Sequence, residues 1–239
     1  PSKLTKLVHK RVLLKLSGEA LQVDDESSFL CAKVIERIVS EIIPVMKMGL
    51  QLGIVVGGGN IFRGAQLSQT GIGRISADHM GMLGTMINAL ALRDVFEKHG
   101  QVARIMSAVP MSGIVDHYDR RKAIHHINLG RVVIFASGTG NPLVTTDSAA
   151  SLRAIETESD ILVKASSVDG VYSADPNVDE TCKRYDEISY QEVVNRELKV
   201  MDLAAFCQCR DHDLPLRIYD INAVGATRGV LLGEPIGTL

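Results

Sequence analysis

Two lysines lie near the ends of apolar segments that have the composition of buried strands. Lys15 belongs to RVLLKL at Arg11–Leu16, and Lys164 belongs to DILVKA at residues 160–165. An unpaired ammonium group is costly to bury, so each lysine needs a negatively charged partner. Two such lysines beside glycine-rich loops indicate a polyphosphate between them, whose transferring phosphoryl group they would stabilise. A salt bridge or a solvent-facing orientation of each lysine is the alternative.

A run of three glycines, Gly57 to Gly59, directly follows the apolar segment 50–56. Consecutive small residues leave backbone N–H groups free to surround an anion. Arg63 follows shortly after and could clamp a phosphate with two hydrogen bonds. A tight turn from a strand into a helix, without any ligand, would produce the same run.

The stretch 137–147, SGTGNPLVTTD, is the most specific single segment of the chain. It offers three threonine hydroxyls, one asparagine amide, backbone exposed at two glycines, and the carboxylate of Asp147. Asp147 can cap the following helix, whose N-terminus favours an anion. The alternative is a decorated turn with an ordinary N-cap, although so many hydroxyls and glycines exceed what a turn requires.

A loop of sequence VDGVYSADP, residues 168–176, follows the Lys164 strand. Tyr172 could pack on an adenine ring, and Asp175 could accept ribose hydroxyls or a metal-bound water. The turn chemistry of Asp-Gly and Asp-Pro explains the same loop as plain surface structure. Asp78, near the start of a long helical pattern, is open between a helix N-cap and a substrate contact.

These residues need elements that bring them to one place. The apolar runs predict six strands, at residues 11–16, 50–56, 102–106, 131–136, 160–165 and 216–220, and the tail is a candidate for one more. Segments of helical period predict helices at residues 29–48, 76–99, 119–128, 147–158, 189–198 and 201–209, with Pro44 bending or interrupting the first. This alternation predicts an α/β fold with a mainly parallel sheet and helices on both faces. Ligands bind such sheets at the carboxyl ends of the strands, where the loops described above begin.

Composition excludes several classes of protein. The 239 residues carry 26 basic and 28 acidic side chains, a net charge of −2, which argues against nucleic-acid binding by bulk charge. Cysteine and histidine spacing matches no metal-site pattern, and the Walker A and GxGxxG motifs are absent. With no bilayer-spanning run, no signal peptide and no internal boundary, we expect one cytoplasmic domain over residues 1–239.

Taken in order along the chain, these elements resemble the bacterial uridylate kinase branch of the amino-acid kinase family. The most specific pieces are KLSGEAL (15–21), GGGNIFRG (57–64), DHMGML (78–83), GTGNPLVTTDSAA (138–150), KASSVDGVYSADP (164–176), ELKVMDLAAF (197–206) and the closing GTL. DHMGML and GTGNP-x-x-TTD distinguish this branch from the amino-acid and carbamate kinases. The resemblance implies a three-layer αβα sandwich, a homohexamer, and Mg²⁺-dependent transfer of the γ-phosphoryl group of ATP to UMP.

The resemblance also implies roles residue by residue, with the acceptor mainly in the N-terminal part and ATP mainly in the C-terminal part. The catalytic residues would be Lys15, Arg63, Asp147 and Lys164. ATP would be bound by Lys15, Leu16, Ser17, Gly18, Gly59, Arg63, Ser166, Tyr172 and Asp175. UMP would be bound by Gly58, Asp78, Thr139, Gly140, Asn141, Pro142, Leu143, Val144, Thr145 and Thr146. No strong general base is needed, because a nucleotide phosphate is already a nucleophile.

Two departures from the family pattern matter. VDDESSF, residues 23–29, stands where many relatives carry a glycine-rich segment linked to activation by GTP, which puts GTP activation in doubt. Feedback inhibition by UTP is still expected. Leu143 and Val144 stand where relatives often carry two aromatic residues, which loosens the packing expected on a pyrimidine. The alternatives are another small phosphate or carboxylate kinase on the same fold, and a nucleotide sensor or anion-storage protein without turnover.

Overall fold

The computed structural model describes residues 6–22, 28–62, 67, 69–176 and 178–239. Within these residues, seven strands form one sheet in the order β4-β3-β5-β2-β1-β6-β7. The strands are β1 (Arg11–Leu16), β2 (Gln51–Val56), β3 (Ala103–Ser107), β4 (Asp116–His117), β5 (Val132–Ala136), β6 (Ile161–Ser166) and β7 (Leu216–Asp220). Every pair of neighbouring strands is parallel, so the carboxyl ends of all seven strands lie at one edge.

Helices cover both faces of the sheet. They are α1 (Ala32–Met46), α2 (Arg74–Lys98), α3 (Arg120–Asn128), α4 (Thr146–Glu156), α5 (Tyr190–Asn195), α6 (Leu203–Asp211) and α7 (Ala226–Leu232), with a 3₁₀ turn at Gly18–Leu21. Side chains of a strand alternate between faces. Leu14 and Leu16 accordingly pack in the core with α1, α2 and α7. Leu13 packs on the opposite side with α3, α4 and α6, which completes the three-layer αβα arrangement.

The predicted six strands and the mainly parallel sheet are confirmed, and three details of the prediction are wrong. Strand β4 was missed because two residues carry no usable periodicity. The tail forms α7 and then a single antiparallel bridge, between Ile218 and Thr238, rather than a further strand. Pro44 does not interrupt α1, which continues to Met46 although the proline removes one internal hydrogen bond. Among the described helices, none is long and apolar enough to cross a membrane.

Candidate active site

The two strand-end lysines converge on one carboxylate. Lys15 and Lys164 are register partners across β1 and β6, so their side chains leave the sheet together on the face that α4 covers. Asp147 lies in the first turn of α4. Its Oδ1 is 3.0 Å from the Lys15 Nζ, and its Oδ2 accepts a hydrogen bond of 2.8 Å from the Lys164 Nζ. Each buried lysine therefore has the anionic partner that its burial requires.

The charge of Asp147 is fixed by these neighbours. Burial alone would raise the pKa of its carboxyl group, but the Lys15 and Lys164 ammonium groups outweigh burial and hold the pKa below the ordinary value of 3.8. The carboxylate is thus ionised at neutral pH, and the three side chains carry one positive charge in excess. Oδ1 is buried and forms an ion pair with the Lys15 ammonium group at 3.0 Å, outside hydrogen-bond geometry. The centre therefore keeps one positive charge that Asp147 does not compensate.

The loops that follow β1 and β2 are packed tightly against each other. A Cβ added to Gly18 would lie 2.7 Å from the backbone nitrogen of Gly59. A Cβ added to Gly58 would lie 2.6 Å from the carbonyl oxygen of Gly81 in α2. Because backbone blocks a side chain at both positions, this packing by itself requires glycine there. The ligand-free explanation of the run thus accounts for Gly58, and the binding of an anion by the loop remains a proposal.

Asn88, a residue that sequence reasoning missed, fastens the glycine loop. It is fully buried in α2, and its Nδ2 donates to the Gly57 carbonyl at 2.7 Å. Its amide also pairs with the Asn60 amide through two hydrogen bonds of 2.8 and 3.0 Å. The available signal was an asparagine within the apolar face of the helical pattern, since a buried amide needs partners.

A cavity of about 220 Å³ lies between the glycine loop, the start of α2 and the 137–147 loop. Six of the residues predicted to bind UMP line it: Gly58, Asp78, Thr139, Asn141, Val144 and Thr146. Four others do not line it: Gly140, Pro142, Leu143 and Thr145. Phe62 also lines the cavity and supplies an aromatic side chain that the sequence analysis did not single out.

The Asp78 carboxylate fastens the 137–147 loop to the first turns of α2. Its Oδ2 accepts a hydrogen bond of 2.7 Å from the Leu143 backbone, and its Oδ1 accepts one of 2.9 Å from Arg74. Burial would raise the pKa of Asp78, but these two hydrogen bonds and the Arg74 charge keep it below its usual value. Leu143 has a φ of 66°, an uncommon conformation that this contact helps to hold. The N-cap alternative for Asp78 is wrong, because α2 begins at Arg74 with Gly73 as its N-cap.

The expected N-cap role of Asp147 is also wrong, because Thr145 caps α4. The Thr145 Oγ1 accepts a hydrogen bond of 3.1 Å from the Ser148 backbone. The same hydroxyl contacts Asp202, which accepts a second bond of 3.1 Å from the Ser148 hydroxyl. Asp202 in turn caps α6 by accepting a hydrogen bond of 2.8 Å from the Ala205 backbone. Asp202 therefore connects the start of α6 to the start of α4. It also accepts the hydrogen bond that the Thr145 hydroxyl donates, so that hydroxyl already has a partner within the protein.

Two larger cavities share no lining residue with the cavity of about 220 Å³. One of about 570 Å³ is lined by Lys15, Ser17, Lys164 and Ser166, among others. One of about 590 Å³ is lined by Ser166, Tyr172 and Asp175 together with residues 196–200. Ser166 lines both cavities, so the two cavities adjoin. The cavity that contains Lys15 and Lys164 is therefore continuous with the cavity that contains Tyr172 and Asp175.

Three residues that were predicted to bind ATP do not line either of the two larger cavities. The side chain of Leu16 is fully buried in the core, so only its backbone could contact a nucleotide. Gly59 lines the smaller cavity beside Gly58 instead of the two larger ones. Gly18 lines none of the three cavities and packs against the glycine loop. Arg63 lies outside the described residues.

Comparisons with known proteins agree with this architecture. The model of the Amino acid kinase family matches residues 10–220. The chain is 55% identical over 232 residues to the uridylate kinase of Coxiella burnetii, covering 97% of this chain and 95% of that one. It is 53% identical over 231 residues to the uridylate kinase of Marinobacter nauticus, covering 97% and 95%.

Solved structures give the same result. The crystal structure of UMP kinase from Bacillus anthracis aligns with a TM-score of 0.92 at 41% identity, covering 96% of this chain and 95% of that one. That of UMP kinase from Ureaplasma parvum aligns with a TM-score of 0.91 at 33% identity, covering 95% and 97%. The chain therefore belongs to the amino acid kinase family, in the branch of the uridylate kinases.

Proposed function

We propose that this protein is a UMP kinase that transfers the γ-phosphoryl group of ATP to UMP and releases UDP and ADP. The observation that carries the proposal is the largely buried centre of Lys15, Asp147 and Lys164, with a net positive charge and with both lysines lining a cavity of about 570 Å³. The uridylate kinases that this chain resembles match it over almost its whole length, which favours UMP as the acceptor.

The acceptor would lie in the 220 Å³ cavity, and ATP would lie in the two adjoining cavities. Tyr172 and Asp175 would then face the nucleoside of ATP, and Lys15 with Ser17 would face its phosphates. Asp78 and Thr139 would face UMP. Both parts of the chain line the acceptor cavity, whereas the 590 Å³ cavity is lined only by residues between Ser166 and Ile218.

The two lysines would supply most of the chemistry. Phosphoryl transfer spreads negative charge over the moving group, so catalysis depends mainly on positioning and on fixed positive charge. The Lys164 ammonium group donates one hydrogen bond of 2.8 Å to Asp147 and one of 3.1 Å to the Val200 carbonyl. This ammonium group therefore needs little reorganisation when a phosphate arrives. Arg63 would add a third positive charge.

Mg²⁺ fits this site as a companion of ATP. The residues that the structure describes contain no group of three or more His, Cys, Asp or Glu side chains that could hold an ion by themselves. Kinase sites commonly bind Mg²⁺ through one or two carboxylates and the phosphates of the substrate. Asp147 is the carboxylate we propose for this role, because its buried Oδ1 contacts the Lys15 ammonium group only outside hydrogen-bond geometry. Bound there, the ion would neutralise charge on the transferring phosphates.

We further propose a cytoplasmic homohexamer that UTP inhibits. These points rest on the family resemblance. Most of the segment whose sequence puts GTP activation in doubt, residues 23–27, lies outside the described residues. GTP activation is therefore tested in the assay itself.

The test is ADP release from MgATP with UMP, CMP, dUMP, carbamate, aspartate and N-acetylglutamate as separate acceptors, with and without GTP. We expect turnover with UMP alone, and a loss of turnover of about a hundredfold or more in Lys164→Met. Lys98→Met is the matched control, because Lys98 is an exposed lysine in an ion pair with Asp94. Turnover with carbamate or an amino acid instead of UMP would favour the related kinases. Tight nucleotide binding without any turnover would favour the sensor or storage protein.

A further inference from the structure

Thr238 is a buried hydroxyl residue that the proposed reaction leaves unused. It belongs to the closing GTL sequence and is only 2% exposed. Its Oγ1 accepts a hydrogen bond of 2.9 Å from the backbone nitrogen of Val171 and donates one of 2.5 Å to the carbonyl of Tyr185. Tyr185 and Val171 are also joined directly, by a backbone hydrogen bond of 2.9 Å. One hydroxyl therefore links the two ends of the loop that contains Tyr172 and Asp175.

The backbone of Thr238 is fastened to the edge strand of the sheet. Its N–H donates to the Ile218 carbonyl at 3.0 Å, and its carbonyl accepts from the Ile218 N–H at 2.9 Å. Gly237 makes this approach possible, with a φ of 74° and with the carbonyl carbon of Ile218 only 2.9 Å from where a Cβ would lie. The loop is thus anchored through Thr238 to a rigid element.

The anchored residues form the wall of the cavity in which ATP would lie. Val171 and Ile218 both line the 590 Å³ cavity, beside Tyr172 and Asp175. Gly170 packs closely against Thr238, because a Cβ added to Gly170 would collide with the Thr238 Oγ1. A shift of Thr238 would therefore move the wall that faces the nucleoside, and would leave unchanged the acceptor cavity, which shares no lining residue with it.

We infer that Thr238 is a positioning residue for the ATP-binding loop and sets the affinity for the nucleoside part of ATP. The inference rests on the proposed function for its ligand. Thr238→Val keeps the shape of the side chain but leaves the Val171 N–H and the Tyr185 carbonyl without this partner. We expect the KM for MgATP to rise roughly tenfold, which corresponds to the free energy of about one of these two lost hydrogen bonds. The KM for UMP and the kcat at saturating ATP are expected to stay within about twofold, well below that loss.

Two controls separate positioning from general destabilisation. Thr238→Ser retains the hydroxyl, so we expect it to restore the KM for MgATP. Thr227→Val removes another fully buried hydroxyl, one that contacts the Tyr219 hydroxyl at 3.0 Å and lines none of the three cavities. It is expected to lower stability without separating the two KM values. An equal rise of both KM values in Thr238→Val, or the same KM for MgATP as in the unmodified protein, would overturn the inference.

Two further measurements keep this test independent of turnover and of variant folding. The Kd of MgATP, measured by equilibrium dialysis, is expected to rise in Thr238→Val even if UMP proves not to be the acceptor, which would refute only the proposed function. Hydrogen exchange of the unmodified protein without nucleotide is expected to show the Val171 amide protected, because Thr238 already binds it. Fast exchange at Val171 would refute the anchoring itself.

Discussion

Asn in place of Asp147 removes one charge from the centre and almost no volume. The Lys15 and Lys164 ammonium groups, now 3.0 and 2.8 Å from carboxylate oxygens, would face a neutral amide. Removing one partner of a buried ion pair costs about 3–5 kcal/mol, because the remaining charge is left without compensation. The side chains of Lys15, Asp147 and Lys164 retain exposures of 9%, 14% and 16%, so water reduces the penalty somewhat. We therefore expect a loss of about 3 kcal/mol in the free energy of unfolding.

Urea unfolding, with and without ATP, measures this loss. ATP added without Mg²⁺ is expected to recover more stability in Asp147→Asn than in the unmodified protein, because its phosphates replace the missing counter-charge. Turnover is expected to fall by about a hundredfold or more, since the two lysines lose the group that orients them. Asp94→Asn is the matched control, because Asp94 forms an ion pair with Lys98 in which both side chains are exposed, and exposed pairs contribute little to stability.

The same variant has a defined pH dependence. The pKa of Asp147 is lower in the folded protein than its ordinary value of 3.8, so its ionised form stabilises the fold at all pH values above 3.8. That contribution disappears as the pH falls through the lowered pKa. The stability difference between the unmodified protein and Asp147→Asn is therefore expected to be constant near neutral pH and to shrink below 3.8. A difference under about 1 kcal/mol at neutral pH, together with unchanged turnover, would refute the reasoning.

Two further substitutions test the loops around the centre. Asn88→Leu leaves the Gly57 carbonyl, now bonded at 2.7 Å, and the Asn60 amide without their partner, and we expect a loss of about 2 kcal/mol in urea unfolding; a loss near zero would show that the glycine loop is held by other contacts. Asp78→Ala removes the acceptor that Leu143 contacts at 2.7 Å, and we expect a roughly tenfold higher KM for UMP with the KM for ATP unchanged. A higher KM for ATP instead would contradict the assignment of the small cavity to the acceptor.

The parts of the fold that could be predicted are those with a local signal. Strands buried on both faces are apolar throughout, and β1 and β2 were found for that reason. Lys15 and Lys164 were found because a lysine in an apolar strand is conspicuous. Their meeting was not encoded locally, since it follows from β1 and β6 being neighbours in register although they are far apart in sequence.

The residues that were missed or given the wrong role depend on partners distant in the chain. Asn88 acts through the loop that follows β2, and Asp202 acts through the start of α4. Asp147 was taken for an N-cap because it precedes a helical pattern, but Thr145 takes the cap and leaves the Asp147 carboxylate for the lysines. A cap preference is a property of a single residue, whereas the choice between adjacent candidates depends on tertiary contacts.

The arrangement of charges also explains how the proposed binding site for phosphate would be formed before a phosphate arrives. Two parallel strands in register bring Lys15 and Lys164 side by side, where two buried ammonium groups would repel each other strongly without a counter-charge. Asp147 supplies that counter-charge from the first turn of α4, so the cost of desolvating the lysines is met during folding. An incoming phosphate then exchanges ion pairs within a preformed centre and encounters one uncompensated positive charge. Because the donors are already oriented, the attraction can act on the transferring phosphoryl group without further reorganisation.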